Sequence, residues 1–277
     1  MLLRFLAILA MALAAVAGLP MGIFESYAWL WAYPLLSVGI LLVEILLAFG
    51  YLMILCKRVN QEVEQEEDDS HYRWVAEQIV ESVVPVLRIG LKVQGMEKVP
   101  AQGRFVLVCN HCSNADPIMI LKAFKGYQLA FISKKENKTM FVVGPVMHKL
   151  LCQLIDREND REALKTILKC VKLLKEDKAS IGVFPEGYIL PHRKLHRFRP
   201  GVFKIAQKAQ VPIVVCTLKG TREVIPNLGR YRHSDVDLKV LTVLSVEEIA
   251  GRATTDIAEE IYQMMAADLG PENVAEE

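Results

Sequence analysis

The segment Val108-Cys109-Asn110-His111-Cys112-Ser113-Asn114-Ala115-Asp116-Pro117 carries two overlapping patterns, each with a chemistry of its own. Cys109 and Cys112 form a C-x-x-C pair, the spacing of a redox dithiol or of half a zinc site. His111 and Asp116 form an H-x-x-x-x-D pair, in which an imidazole takes a proton while a carboxylate curling back one turn holds its tautomer and stabilises the imidazolium. Asn110, Ser113 and Asn114 suit the turn between them, and Pro117 suits the first turn of a following helix, where its missing N–H is harmless. The other cysteines, Cys56, Cys152, Cys170 and Cys216, are isolated and supply no second pair to complete a zinc tetrad. On spacing alone both patterns stand.

The elements that must position these residues read as an α/β domain with a central, mostly parallel or mixed sheet flanked by helices. Short β-rich apolar runs at Phe105 to Cys109, Leu129 to Ser133, Ile181 to Phe184, Val211 to Leu218 and Leu238 to Leu244 suit strands buried on both faces. Between them, Asp160 to Lys175 is the clearest helix, with Leu164, Ile167, Leu168, Val171 and Leu174 at helical spacing and Lys165, Lys169, Lys172 and Lys175 outside that stripe. Further helices are predicted over Gly201 to Gln210 and Thr255 to Leu269. In such sheets functional groups gather past the carboxyl ends of strands. His111 and Glu186 each follow a predicted strand, and Arg157 follows Leu154-Ile155, so three polar groups are placed to converge.

The chain has 277 residues, 52% of them hydrophobic, which is more apolar material than one such core needs. The surplus lies at the front. Phe5 to Ala17 is uncharged and apolar, and a second run from Tyr27 to Cys56, broken by Pro34, Gly39 and Glu44, exceeds the roughly 20 residues that cross a bilayer. The expected division is a membrane-anchoring helix pair over 1–58, an acidic solvated linker over 59–73 and a soluble domain over 74–277. Arg4, the short apolar run and Ala15-Val16-Ala17 also resemble a cleaved signal peptide. Either arrangement leaves the domain facing the cytoplasm, as the basic flank Lys57-Arg58 suggests. Glu44 is costly at mid-membrane unless it faces the other helix, is protonated or lies at the interface. The net charge of +1 gives no sign of a nucleic-acid partner.

Four ordered blocks then carry a resemblance. They are Asn110 to Pro117 (NHCSNADP), Lys135 through Gly144 to Asp156-Arg157, Val183-Phe184-Pro185-Glu186-Gly187 (VFPEG), and Val211-Pro212-Ile213-Val214 preceded by FRPGVFKIA from Phe198 to Ala206. Together the blocks resemble the PlsC-type glycerolipid acyltransferases, the 1-acylglycerol-3-phosphate acyltransferases, over about Phe105 to Gly220. The resemblance implies acyl transfer from a thioester, acyl-CoA or acyl carrier protein, to the sn-2 hydroxyl of a lysophospholipid within membrane lipid, without metal or other cofactor. It implies His111 as base, Asp116 as its partner, Arg157 at the acceptor phosphate, Glu186 at acceptor hydroxyls or in loop order, and backbone N–H groups around Gly187 as oxyanion donors. The C-x-x-C then becomes incidental, with Cys109 a small buried residue.

One departure bears on the acceptor. The family usually continues Phe-Pro-Glu-Gly with Thr-Arg-Ser, and this chain has Tyr188-Ile189-Leu190. Arg193, Arg197 and Arg199 follow at once and are candidates to replace the missing cation or to read another headgroup. Phe141 and Leu151 also replace residues usual in the second block. The leading expectation is phosphatidic acid synthesis from lysophosphatidic acid. The alternatives are another lysolipid or amino lipid as acceptor, and a non-catalytic lipid-binding homologue.

Overall fold

Strand runs buried on both faces need a cover on each side, and the chain supplies it by alternating strands with helices. In the computed structural model, which describes residues 2–27 and 31–275, the helices and strands run in this order: α1 (Leu2–Gly18), α2 (Ala32–Lys57), α3 (Ser70–Val86), β1 (Ile89–Gln94), β2 (Val106–Cys109), α4 (Asp116–Ala123), β3 (Leu129–Lys134), α5 (Val143–Lys149), β4 (Gln153–Ile155), α6 (Asp160–Lys175), β5 (Ser180–Val183), α7 (Lys204–Ala209), β6 (Ile213–Lys219), α8 (Thr221–Gly229), β7 (Ser234–Leu244), the single turn α9 (Val246–Ile249) and α10 (Thr254–Leu269). The strands form one mixed sheet in the order β1-β7-β6-β2-β5-β3-β4. Every neighbouring pair is parallel except β6 with β7, whose antiparallel register is interrupted by a bulge at Val215/Cys216.

Side chains alternate across the sheet because the strand period is two. Val106, Val108, Ile181, Val183, Ile213 and Val215 face a core completed by α6, α7 and α10. Phe105, Leu107, Cys109, Leu129, Phe131, Val214 and Cys216 face a second core under α3, α4 and α8. The central strands β2 and β5 are therefore buried at every position, as their near-continuous apolar runs require.

Helix α6 begins where the Asn159 side chain accepts from the N–H groups of Arg161 and Glu162, and its charges, acidic first and basic last, complement the helix dipole. Its buried face is rotated from the predicted stripe, of which Ile167, Val171 and Leu174 do face the core. Thr166, Cys170, Val171, Leu173 and Leu174 are buried, whereas Leu164 and Leu168 are about half exposed. The two overlapping sets both have helical spacing, and only the sheet decides how far the inward face is turned. The predicted helix over 201–210 is a 3-10 turn, Pro200–Phe203, followed by α7, which stops at Gln210 in the left-handed region. Strands β1 and β4 have no counterpart among the predicted runs. Both are edge strands that are only partly covered, so neither carries a run of apolar residues.

The chain divides into two units, residues 1–61 and 62–277. In the first, Tyr33 donates to the Met11 carbonyl at 3.0 Å and its ring lies 5.7 Å from that of Phe24, so α2 packs along α1. Helix α2, with 26 residues and a mean hydropathy of 2.5, is long and apolar enough to cross a membrane, and the 17-residue α1 is shorter. Residues 28–30 of the second apolar run lie outside the described part. Both carboxylate oxygens of Glu44 are buried with no hydrogen-bond partner among the described residues.

The acidic segment differs from the solvated linker expected over 59–73. Asp68 is 3% exposed and forks onto Arg73 at 2.6 and 2.9 Å, while Arg73 also donates to the Leu129 carbonyl. Glu62 and Glu64 pair with Lys138 and Lys169, and Asp69 caps α3. The exposed pairs are individually weak. The buried fork is not, and it holds Arg73 in place to donate to the Leu129 carbonyl at the start of β3.

Candidate active site

Strand β2 ends at Cys109, and the next residue locks its exit to β6. The Asn110 side chain, fully buried, donates to the Leu218 carbonyl at 2.9 Å and accepts from the Leu218 N–H at 2.7 Å. An amide bridging both backbone groups of a neighbouring strand leaves little freedom to the residue that follows it. That residue is His111.

The turn then curls as the H-x-x-x-x-D spacing predicts. Asp116, fully buried at the start of α4, accepts through Oδ2 from the N–H of Cys112 at 2.7 Å and of Ser113 at 2.8 Å, and the same oxygen lies 2.8 Å from His111 Nδ1. Since Asp116 is the acceptor, Nδ1 carries the proton and Nε2 is left with its lone pair, the state a general base needs. The imidazole face stacks on Phe184, with centroids 4.1 Å apart and planes 19° apart.

The loop after β5 supplies the other carboxylate. Glu186 is 1% exposed and accepts from the His111 N–H at 2.6 Å and the His196 N–H at 3.2 Å, so it ties two loops together through their backbones. Burial pushes its carboxyl up to about 8, against the two N–H bonds that favour the anion. His196 is itself buried, donates from Nε2 to the Tyr188 carbonyl at 3.1 Å and packs its ring 4.6 Å from that of Tyr188. Glu186 thus holds the backbones of the two loops together.

Gly187 departs from expectation. Its φ of +82° places it in the left-handed region, and its own N–H donates to the Phe184 carbonyl at 3.1 Å, so this amide is already used and is not a free oxyanion donor. A Cβ at 187 would fall 2.9 Å from Arg199 Nε, which shows how closely the Arg199 side chain lies across the turn.

The cations separate into two places. Burial, and then the like charge of Arg199, holds Arg157 below the usual guanidinium value, with Glu136 opposing. Neither the Arg157 nor the Arg199 side chain has a hydrogen bond or ion pair among the described residues. Each guanidinium is thus left with its donors uncommitted, which is what binding an anion requires. Arg193 lies elsewhere: it donates to the Arg222 carbonyl at 2.9 Å and lines a recess with Asn110, Cys112 and Thr221. That recess, about 20 Å³, has room for little more than a water. Arg197 is exposed.

The two thiols of the C-x-x-C are free. Cys109 is buried in the second core and its thiol is pushed well up by burial, and burial pushes Cys112 up to about 12. A redox dithiol needs the opposite, a thiol that ionises near neutral pH.

A family model described as "Acyltransferase" matches residues 90–219, a span that contains His111, Asp116, Arg157, Glu186, Gly187, Arg193, Arg197 and Arg199. The chain is 31% identical over 138 residues to the 1-acyl-sn-glycerol-3-phosphate acyltransferase of Bacillus subtilis, covering 50% of this chain and 67% of that one. The chain belongs to the PlsC-type glycerolipid acyltransferase family. The chain is also 32% identical over 145 residues to a probable 1-acyl-sn-glycerol-3-phosphate acyltransferase of Mycoplasma pneumoniae, covering 51% of this chain and 53% of the relative. It spans about half the length of such curated relatives, 42% for a chloroplastic one from Brassica napus. The acyltransferase fold is shared with the crystal structure of the 1-acyl-sn-glycerophosphate (LPA) acyltransferase PlsC from Thermotoga maritima, at a TM-score of 0.58 and 22% identity, over 77% of this chain and 85% of the other.

Reading the sequence missed Asn110 and His196 as parts of the site. A buried Asn beside His111 has no periodic signature, and the His196 N–H meets Glu186 only because the 188–195 loop folds back.

Proposed function

We propose that this protein transfers a fatty acyl group from an acyl thioester to the sn-2 hydroxyl of lysophosphatidic acid, giving phosphatidic acid. One observation carries the reading: His111 presents Nε2 on a fixed ring, with Asp116 on Nδ1 and Phe184 beneath. The acceptor hydroxyl gives its proton to Nε2 as its oxygen attacks the thioester carbonyl. The tetrahedral intermediate collapses, the C–S bond breaks, and the thiolate takes the proton from the imidazolium. A thiolate is a good leaving group, so the base works mainly in the first step. The acceptor phosphate sits between Arg157 and Arg199, the second standing in for the arginine that Tyr188-Ile189-Leu190 displaces. The enzyme is held in the membrane by α2, with the sheet domain on the cytoplasmic side of Lys57-Arg58.

A second reading keeps the reaction and changes the acceptor to another lysolipid or an amino lipid. It is favoured by Tyr188, whose half-exposed ring stands on His196 where the family usually has a small polar residue. The test is the full chain in detergent with labelled acyl-CoA or acyl carrier protein and a panel of lysolipids. Labelled phosphatidic acid as the main product is expected. Preference for an acceptor without a phosphomonoester establishes the second reading, and lipid binding with no transfer to any acceptor overturns both in favour of a non-catalytic homologue.

A further inference from the structure

We propose that Phe131 and Gly182, outside the motif blocks, are positioning residues that set the plane of the His111 imidazole. This rests on the reading of His111 as the base. One hydrogen bond from Nδ1 to Asp116 fixes an edge of the ring and leaves it free to swing about that bond. A second constraint on its face is needed to aim Nε2, and Phe184 provides it at 4.1 Å. Phe184 in turn has a support.

Gly182 and Phe184 are two residues apart and project to the same side of the sheet. Phe131 on β3 is the register partner of Gly182 on β5. With no side chain at 182, the Phe131 ring lies over the glycine and continues beside Phe184, centroids 6.0 Å apart and planes 8° apart. The three rings form a row across β3, β5 and the exit of β2, from the core to the base. A Cβ at 182 would stand 2.7 Å from both Cδ1 and Cε1 of Phe131. Favourable carbon contacts are about 3.5–4.0 Å, so an alanine would push the ring by on the order of 1 Å. Phe131 is only 8% exposed, and a close-packed interior passes such a shift to its neighbour rather than absorbing it. The neighbour is the plate on which His111 rests.

The experiment measures kcat and KM for acyl-CoA and lysophosphatidic acid in Gly182→Ala, Phe131→Leu and their double variant, with thermal unfolding of each full chain. Gly182→Ala is expected to lower kcat about ten-fold or more, since misplacement of about 1 Å can cost 10²-fold, while both KM values stay within about two-fold. Because the alanine acts only by displacing the ring, the double variant should be no worse than Phe131→Leu alone. Wild-type kcat in folded Gly182→Ala, losses that multiply in the double variant, or KM rising in step with the fall in kcat each overturn the proposal. Should Gly182→Ala not fold, Phe131→Leu and Phe131→Tyr decide: loss in the first with recovery in the second supports the stack, and equal activities refute it. A folded His111→Ala that still turns over removes the base assignment itself. A dead His111→Ala beside a normal Gly182→Ala removes only the stack.

Discussion

Two loops leave the same end of the sheet from neighbouring strands, and they are built differently. In the loop after β2, Asn110, the N–H groups of residues 111–113 and Oδ2 of Asp116 all have directed partners, and the loop closes within seven residues. The loop after β5 runs to residue 199 before its next helical turn. It is pinned through Pro185, Glu186 and His196 but leaves Tyr188, Arg197 and Arg199 exposed. The short loop fixes an atom, as proton transfer demands. The long loop presents charge to solvent, and under the proposed function it would meet a headgroup, which tolerates adjustment; it is also where the chain departs from its family's usual residues.

The largest effect should come from breaking the short loop's chemistry without its frame. His111→Ala removes the base and leaves Asn110, Asp116 and the backbone bonds in place, so transfer is expected to fall on the order of 10²–10⁴-fold with folding preserved. Single-turnover acyl transfer on detergent-purified protein reads this, and near-normal turnover would remove the mechanism.

The proposed anion site, to which Arg157 after β4 and Arg199 of the long loop contribute, should instead respond in binding. Arg157→Lys keeps a charge and loses the fork, and a hydrogen bond to a charged group contributes about 1.5–3 kcal/mol, so KM for lysophosphatidic acid should rise roughly ten-fold or more with kcat less affected. Arg193→Ala should change that KM by less than about two-fold, because its guanidinium is engaged by the Arg222 carbonyl. Equal losses for phosphate and non-phosphate acceptors in Arg157→Lys would make Arg157 structural, and an Arg193 effect matching that of Arg157 would place the anion elsewhere.

Glu186 joins the loops, and it sharpens the comparison through stability. Burial raises its folded carboxyl to about 8, so between the usual carboxylate range and about pH 8 the folded state holds a proton that the unfolded chain has released. Stability should therefore fall as pH rises through that window and level off above it. Glu186→Gln, which cannot ionise, should flatten this slope in melting curves taken from pH 5 to 8.5. An unchanged slope would show that the carboxyl is ionised in the folded protein.

The smallest effect is expected at Cys112. Its thiol, pushed up to about 12, accepts weakly from the Asn110 side chain at 3.3 Å, a contact that serine can keep. Cys112→Ser should retain activity within about three-fold in oxidising and reducing buffer alike. Activity that tracks redox state would restore a role for the C-x-x-C.

The sequence by itself determined the elements whose partners are near in the chain or whose pattern is dense. His111 and Asp116 announce their pairing because five residues fit one turn, and β2, β5 and β6 announce themselves because strands buried on both faces must be apolar throughout. Only the tertiary structure decided what depends on distant chain: that Leu164 and Leu168 face outward while Cys170 and Leu173 face in, that β1 pairs with β7 more than 140 positions on, that the Asp68 side chain is buried against Arg73, and that the Arg193 guanidinium is taken up by the Arg222 carbonyl. Likewise nothing local to Gly182 says that Phe131 will lie over it, since that follows from the register of β3 against β5. The physical reason is common to all of these. Periodicity states which residues share a face, and turn spacing states which groups can meet within a few bonds, whereas which face turns inward and which loops become neighbours is fixed only when the sheet orders its strands.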